Sequence, residues 1–514
     1  MRKWLPLLAI SLSTFMLLVD VTIVSVAVPA MASGLGSSFA SLQWTVDIYV
    51  LVLAALLMAA GSASDRIGRR KVFLIGLGIF AVASLLCGVA PNSETLIAAR
   101  GVQGVGAAAM FATNAALLGA TYEGRDRGVA FGIWGAVNGA AAALGPVLGG
   151  LLTEHVSWRA IFLVNLPVAA LAVVIGMRAL TESRNPRAGR IDVPGTVAFT
   201  LSATLLIYGL IRAGDDGWGD KVTIGMFIGA VLALILFVLL ERGRPDAMLD
   251  LSLFRRPSFS ALMIGALVLN AAAFANLVYV SVWAQSILGL EPVKAGLALT
   301  PLSAVTFVVS GAAGRALANI APQISIGGGL LLVGTGTLLD MLLAADSNWT
   351  VLLPGLIVTG VGVGMATPVL ASAALQAAPP EKAGMSSGAM NTFRQLGFAL
   401  GIPVFGTVLT DRAKGLLSDS GHFQDPGAAA KDLTGGKSGE LIAEAPAQAR
   451  DAVEHVLREA FAAGFDRIFL ASGIIALVTG LAVIAFVRKP TTPAGAGAGA
   501  AGGTAAAPVA QAAE

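Results

Sequence analysis

The chain has 514 residues, of which 56% are hydrophobic and only 12% are charged, and its mean hydropathy is +0.81. Because about 25% of the residues in a typical soluble domain are charged, this chain has too few polar groups to cover a water-exposed surface, and we predict an integral membrane protein. Its single cysteine excludes an internal disulfide and a thiolate metal cluster, and its net charge of +3 is explained by cations flanking the membrane, which disfavours nucleic acid as a partner.

Apolar segments recur along the whole chain. A bilayer core of about 30 Å needs about 20 apolar residues per helix. Windows of that length predict fourteen transmembrane helices and therefore an all-α integral membrane fold, with spans near 7–28, 44–63, 72–90, 96–118, 129–152, 160–178, 194–212, 222–240, 259–282, 295–314, 324–344, 350–373, 387–410 and 466–487. The first apolar run is too long to be the core of a cleavable signal peptide, so we interpret it as a span.

Lysine and arginine are concentrated in the loops on one side of this topology, and both termini carry cations on that same side. The positive-inside rule then predicts that both termini are cytoplasmic. The predicted domains are an amino-terminal six-helix bundle (1–182), a linker with two extra transmembrane helices (183–245) and a carboxyl-terminal six-helix bundle (246–489).

Two segments lie outside these spans. The outer loop 411–465 contains "ARDAVEHVLREAFAAGF", whose apolar residues recur at helical spacing and predict an amphipathic helix, either resting on the outer rim or acting as a lid. The Gly/Ala-rich segment 490–514 has low complexity and predicts a disordered cytoplasmic tail.

The loop between the second and third spans has a regular pattern of glycines and charges. In "GSASDRIGRRKVF" the patterned residues are Gly61, Asp65, Arg66, Gly68, Arg69 and Arg70. The glycines allow close helix approach and a tight turn, and Asp65 is suited to hold the amino terminus of a neighbouring helix. A plain positive-inside loop explains only the arginines, so we predict a gating role for this motif.

This loop resembles the signature loop of the major facilitator superfamily. The fourth span adds "LIAARGVQGVGAA", similar to that superfamily's arginine-bearing motif. The fifth adds "ALGPVLGG", which resembles its antiporter motif through Gly145, Pro146, Gly149 and Gly150. The proline is expected to kink the helix, and the glycines permit close packing there. "LLVDVTIVSVAVP", "WRAIFLVNLP" and "NTFRQLGFALG" extend the resemblance, over residues 5–487, to the fourteen-span drug:proton antiporter subfamily.

The resemblance implies two six-helix bundles with an extra helix pair between them. It also implies a multidrug or antibiotic exporter of amphipathic, predominantly cationic toxic compounds, driven by protons and working by alternating access. The expected partners are membrane lipid, a small drug-like molecule and protons, with no cofactor, metal or nucleotide, since no G-x-x-x-x-G-K-[ST] loop is present. The excess of arginine over lysine suggests a GC-rich bacterial source and hence the cytoplasmic membrane.

Two other functions are weighed against this one. A dedicated exporter of one endogenous metabolite, as in antibiotic self-resistance, has the same motifs. A membrane-embedded enzyme or receptor is disfavoured, because no cluster of nucleophile, base and metal ligands occurs within the spans.

Few ionisable residues fall inside the predicted spans, where each costs about 2.5–3.5 kcal/mol at the membrane centre. Asp20 and Arg100 have two interpretations, a static buried ion pair or a proton-coupling site whose carboxylate also contacts substrate. Asp47 is a second candidate substrate contact, although a residue so near the outer end of its span is equally consistent with simple hydration. Asp340 is expected to be solvated at the outer rim, and Arg394 to be paired near the cytoplasmic end of the thirteenth span.

Overall fold

The computed structural model of the protein describes residues 2–487 apart from 38, 185–191, 216, 245–246, 317–319 and 380–381. The predicted tail 490–514 lies outside the described residues. Within the described ranges the regular structure is helical throughout, with no β-strand. Thirteen helices there are long and apolar enough to cross a membrane.

The α-helices are numbered here in chain order. Those of the first half are α1 (Leu5–Leu35), α2 (Phe39–Ile67), α3 (Arg69–Gly88), α4 (Ser93–Thr121), α5 (Gly124–His155), α6 (Ala160–Leu163), α7 (Asn165–Ala179), α8 (Val193–Asp215) and α9 (Lys221–Glu241). Those of the second half are α10 (Pro257–Asn270), α11 (Asn276–Ser286), α12 (Pro292–Ala316), α13 (Pro322–Leu339), α14 (Leu353–Ala377), α15 (Ala383–Ser420), α16 (Pro426–Thr434), α17 (Ser438–Glu444) and α18 (Arg450–Phe486).

Each of the fourteen predicted windows falls on a helix, with α6 and α7 forming one span and α10 and α11 another. The helix outside the set of thirteen is α5, which has 32 residues and is long enough to cross a bilayer. Thirteen apolar spans are therefore observed, and the fourteenth stays a prediction.

Several helices run beyond their apolar windows. The thirteenth window, 387–410, lies within the 38-residue α15, and α18 has 37 residues. The predicted amphipathic segment of the outer loop is helical, and it forms the first part of α18, continuous with the last span. Its apolar residues Val453, Leu457 and Phe461 are buried in a cluster with residues of α15 and α16. Hydropathy windows end where polar residues begin, whereas backbone hydrogen bonding continues.

Helix packing brings the two halves together along two seams. Within the first half, α1 packs on α5 and α7, and α4 packs on α2 and α3; in the second half, α13 packs on α14 and α18, and α15 on α10 and α18. Between the halves, α5 packs on α12, and α2 packs on α15. A Cβ on Gly61 of α2 would lie 2.9 Å from the Cα of Gly388, so glycine is needed for that approach.

The pair α8 and α9 packs mainly on itself, with α8 also contacting α2 and α15. The outer helix α9 exposes large aliphatic side chains, including Val231, Leu232 and Leu239. A helix that is apolar and exposed over most of its surface is suited to face lipid.

Candidate functional site

Asp20 is the centre of a buried polar cluster inside the first half. Its Oδ2 accepts a hydrogen bond from Nη1 of Arg100 at 2.5 Å. Its Oδ1 accepts bonds from the side-chain amides of Gln103, at 3.0 Å, and Asn165, at 2.9 Å. These residues come from α1, α4 and α7, so the cluster joins three helices.

Arg100 makes further contacts on the α2 side. Its Nε donates to the backbone oxygen of Thr45 at 2.9 Å, and its guanidinium carbon lies 4.1 Å from the ring centre of Tyr49. Its Nη2 is buried with no hydrogen-bond partner among the described residues. The arginine is thus held by one carboxylate and several neutral groups.

The cluster is fully buried in this conformation. The side chains of Asp20 and Arg100 are both 0% exposed, and Gln103 is 0% exposed as a residue. Because a proton needs water or a titratable neighbour to reach a carboxylate, Asp20 can exchange protons with bulk solvent only after the surrounding helices move.

The sequence pattern gave part of this cluster. Asp20 and Arg100 stood out as charges within apolar spans, and Gln103 lay in the quoted motif. Asn165 and Ser84 were missed as site residues; Ser84 accepts a hydrogen bond from Gln103 at 2.8 Å. The available signal for Asn165 was its position as a polar residue in the apolar run "IFLVNLP".

Asp47 lies on α2, the helix whose Thr45 contacts Arg100. It is half-buried on α2, two residues after Thr45. At about 100° per residue, that spacing turns it about 200° away from the backbone position that accepts from Arg100. The side chains of Thr45 and Asp47 therefore point to different sides of α2.

Asp65 lies at the α2–α15 seam and holds the two halves together. Its Oδ1 accepts from Nε and Nη2 of Arg69 at 3.0 and 2.8 Å and from the backbone N–H of Gly384 at 2.8 Å. Its Oδ2 accepts from the N–H of Met385 at 2.8 Å. These two amides belong to the first turn of α15, where free N–H groups and the helix dipole favour a negative charge. We call this arrangement, Asp65 with Arg69, Gly384 and Met385, the latch.

The rest of the motif shapes the turn after α2. Gly68 has a φ of +121°, a conformation that favours glycine. Glu182, which the sequence analysis did not identify, accepts from the backbone N–H groups of Arg70 at 3.1 Å and Lys71 at 3.2 Å at the start of α3. Arg66 is half-buried at the end of α2. The loop is thus fixed by carboxylates at two helix amino termini.

The glycines of the α5 motif mark close helix contacts. A Cβ on Gly145 would collide with Oγ1 of Thr22 in α1, and a Cβ on Gly149 would lie 2.8 Å from the backbone oxygen of Ile23. A Cβ on Gly150 would lie 2.5 Å from Cγ2 of Val293 in α12. The motif therefore packs α5 against α1 on one side and against the second half on the other. The helix is continuous through Pro146.

Two expectations about buried charges were wrong. Asp340 is only 5% exposed, and its Oδ1 has no hydrogen-bond partner among the described residues, so it is not solvated at a rim. It sits where α13 meets α14, because Gly355 leaves room beside its carboxylate. Arg394 does not lie near the end of its helix, and no ion pair or hydrogen bond joins it to a described residue. The hydropathy pattern correctly placed both charged residues in their spans, but it contains no information about which side chains lie beside them.

Comparison with known proteins gives the family. Residues 10–402 match the model of the Major Facilitator Superfamily, and the chain belongs to this superfamily. Its helices make it a multi-pass membrane protein, and the superfamily is one of transporters.

Three curated relatives illustrate the similarity. The multidrug resistance protein Stp of Mycobacterium tuberculosis is 36% identical over 79% of this chain and 75% of its own length. The tetracenomycin C resistance and export protein of Streptomyces glaucescens is 31% identical over 95% of this chain and 92% of its own length. The multidrug efflux pump LfrA of Mycolicibacterium smegmatis is 31% identical over 95% of this chain and 96% of its own length.

A solved structure supports the fold. The crystal structure of the human organic anion transporter MFSD10 (TETRAN) superposes with a TM-score of 0.61 at 14% identity, covering 94% of this chain and 99% of that one. At this identity the likeness concerns the fold alone.

Proposed function

We propose that the protein is a proton-coupled exporter of amphipathic toxic compounds in the bacterial cytoplasmic membrane, working by alternating access. The observation that carries this proposal is the buried pair of Asp20 and Arg100 in a chain whose relatives are named for drug resistance and export. A dedicated exporter of one metabolite is not favoured, because a relative named as a multidrug resistance protein is 36% identical and one named as a multidrug efflux pump matches 95% of the chain. We expect transport without chemical catalysis.

Asp20 is suited to link protonation to helix position. Protonation would remove the charge that Arg100 binds, leaving a buried guanidinium that must find another acceptor or reach water. Asp20 lies on α1 two residues before Thr22, which contacts Gly145 of α5, and α5 forms the seam with α12. A movement of α1 would therefore be passed to the contact between the halves. By linkage, that contact would in turn change the proton affinity of Asp20.

The latch supplies the gate in this mechanism. We assign the latch end to the cytoplasm because the positive-inside rule places the arginine-rich loop there, together with both termini. In this assignment α5 is the fourteenth span, and two six-helix bundles flank the pair α8 and α9. The conformation described here is then closed towards the cytoplasm, and export requires Asp65 to release α15 so that substrate can enter.

The driving force fits this scheme. A charge that moves through the membrane field contributes about 2.3 kcal/mol per 100 mV, so one proton per cycle can drive substantial accumulation without nucleotide hydrolysis. The two remaining interpretations of Asp20, a static ion pair or a proton carrier, differ in whether its neutralisation abolishes coupling.

Inverted membrane vesicles with an acidic lumen and a pH-sensitive dye test the proposal. Ethidium, chloramphenicol and rhodamine 110 are added one at a time. Transported compounds should release protons from wild-type vesicles, and Asp20→Asn should abolish that release. Asp419→Asn changes an exposed carboxylate near the end of α15 and serves as the matched control. Undiminished exchange by Asp20→Asn contradicts the coupling role, and no proton release by the wild type with any compound contradicts the proposed function.

A further inference from the structure

Arg394 carries an uncompensated charge deep in the second half. It lies eleven residues after the first residue of α15, which at 1.5 Å per residue places it about 16 Å along the helix. That distance is about half the thickness of a bilayer core of roughly 30 Å. The residue is partly exposed, its Nε is buried without a hydrogen-bond partner among the described residues, and no ion pair joins its guanidinium to a described residue.

The helical position of Arg394 directs it towards the space between the halves. Asn391, one turn earlier, donates its amide to the backbone oxygen of Phe111 in α4 at 3.1 Å. Gly397, one turn later, packs on Leu267 of α10. At 100° per residue, Arg394 falls midway between these two directions. Arg394 therefore lies on the face of α15 between its contact with α4 of the first half and its contact with α10 of the second.

The other buried arginines of the described residues are paired with carboxylates. Arg100 pairs with Asp20, and Arg69 pairs with Asp65, both with burial and with several hydrogen bonds. Asp340 is buried against Gly355 at the junction of α13 and α14. Arg394 has no such arrangement, and a charge kept in the membrane interior at a cost is by default a functional group.

Aromatic side chains lie further along α15 and on the segment packed against it, and they suit the apolar part of an organic molecule. Phe398, one turn further along α15, is partly buried, as is Phe274 in the π-helical segment Ala271–Ala275 between α10 and α11. That segment packs on α15 at Gly401. Such π-helical turns occur often at functional sites. Asn276, just after it, is buried, and its Oδ1 is unpartnered among the described residues.

We propose that Arg394 binds the ionised acid group, a carboxylate or phenolate, of the exported molecule, whose apolar body lies against Phe398 and Phe274. This inference rests on the proposed function and specifies its substrates as amphipathic organic acids or zwitterions. It differs from the cationic preference that the family resemblance implied. The carboxylate of Asp20 already accepts bonds from Arg100, Gln103 and Asn165, so it offers little to a cationic substrate in this conformation.

Binding to the purified full-length protein tests the inference with matched dyes. Rhodamine 110 carries a free carboxylate, and rhodamine 123 is its methyl ester. The wild type should bind rhodamine 110 at least tenfold more tightly than rhodamine 123, as measured by fluorescence anisotropy. Arg394→Gln should abolish that difference, Arg394→Lys should keep part of it, and Arg412→Gln, an exposed arginine of the same helix, should leave it unchanged. Equal binding of the two dyes by the wild type, or binding of neither, overturns the inference.

Thermal stability separates a binding role from a structural one. Removing an uncompensated charge should leave the Tm of Arg394→Gln equal to or above that of the wild type, whereas rhodamine 110 should raise the Tm of the wild type only. A Tm that falls on substitution indicates a structural arginine and contradicts the proposal. The Tm of the wild type is also compared in chloride and in gluconate. If chloride raises the Tm as much as rhodamine 110 does, Arg394 binds an inorganic anion, which also overturns the proposal.

Transport distinguishes failure of this inference from failure of the proposed function. In inverted vesicles, Arg394→Gln should lose rhodamine 110 exchange at least tenfold and keep rhodamine 123 exchange within twofold of the wild type. Equal losses for both dyes overturn the role of Arg394 while leaving proton-coupled export intact. Absence of proton-dependent exchange by the wild type itself overturns the function on which the inference depends.

Discussion

Asp65 of α2 accepts the backbone N–H of Gly384 in α15 at 2.8 Å, and the two residues are 319 positions apart in the chain. The carboxylate completes a helix amino terminus that belongs to the other half of the molecule. Gly61 and Gly388 let the two helices approach closely enough for this contact. One acidic side chain thus joins the halves at one end of the protein.

Asp65→Asn should open the latch. The asparagine side chain is neutral, and its NH2 group would face the backbone N–H groups of α15. The variant therefore loses hydrogen bonds to a charged carboxylate, each of which contributes about 1.5–3 kcal/mol. With spin labels at Ile67 and Gln376 in a Cys87→Ser background, electron paramagnetic resonance should report longer distances for the variant. Export activity should fall at least tenfold.

A matched variant controls for the change of charge in that experiment. Asp126 forms an exposed ion pair with Lys3 at 2.6 Å, within the first half. Such surface pairs contribute about 0–1 kcal/mol, so Asp126→Asn should leave the distances unchanged. Identical distance distributions in Asp65→Asn and the wild type would show that the latch does not set the resting conformation.

Gly150→Ala should disturb the α5–α12 seam at the end remote from the latch. The added Cβ would lie 2.5 Å from Cγ2 of Val293 and touch little else. We expect a lower Tm and reduced transport, because the seam must separate locally or Val293 must adopt a poor rotamer, at a cost of about 1–3 kcal/mol. Thermal unfolding monitored by tryptophan fluorescence measures the first effect.

The same contact offers a rescue. Val293→Ala removes the clashing methyl group, so the double variant should recover most of the loss. Gly225→Ala, on the exposed helix α9 where no atom lies within 4 Å, should be neutral. A double variant no better than Gly150→Ala alone would place the effect in backbone flexibility and not in the seam.

The sequence predicted the helical spans well because each has a long apolar window, but it underestimated the lengths of α15 and α18, whose polar ends continue the helix. It identified Asp20, Arg100 and Asp65 because a charge in or beside an apolar run is conspicuous. It did not identify Asn165 and Glu182, since their importance depends on which helices meet in space. For the same reason it assigned Arg394 a partner that the described residues do not provide.

Replacing only one member of the Asp20–Arg100 pair should strongly lower the stability of the protein. Removing one member of a buried pair leaves an uncompensated charge and typically costs about 3–5 kcal/mol. We therefore expect Arg100→Gln to lower the Tm strongly, and the double variant Asp20→Asn/Arg100→Gln to recover part of it. Proton exchange should stay absent in the double variant, because no ionisable carboxylate remains at this position. If proton exchange returns together with stability, the pair is a static structural element and coupling lies elsewhere.

A pH-dependent contribution to stability is expected at Asp250, just outside the spans, where Lys382 binds it at 2.9 Å immediately before α15. Partial burial raises the pKa of the Asp250 carboxyl, but hydrogen bonds from Ser252 and Lys382 outweigh burial and hold the pKa below its ordinary value. A carboxyl with a lowered pKa in the folded state stabilises the protein above its unfolded pKa of about 3.9, and the stabilisation is lost as pH falls through the folded pKa.

The wild type should therefore have a higher Tm than Asp250→Asn at pH 7. This gap, the difference in Tm between the two proteins, should close as the pH is lowered past about 4. Because the pair with Lys382 is partly exposed, the gap should correspond to no more than about 1 kcal/mol. Lys382→Met should reduce it without removing it, since Ser252 still donates to Asp250. Asp346→Asn, which changes an exposed carboxylate remote from this pair, supplies the reference. A gap that stays constant from pH 7 to pH 3.5 would show that Asp250 stabilises the protein through its shape and not through its charge.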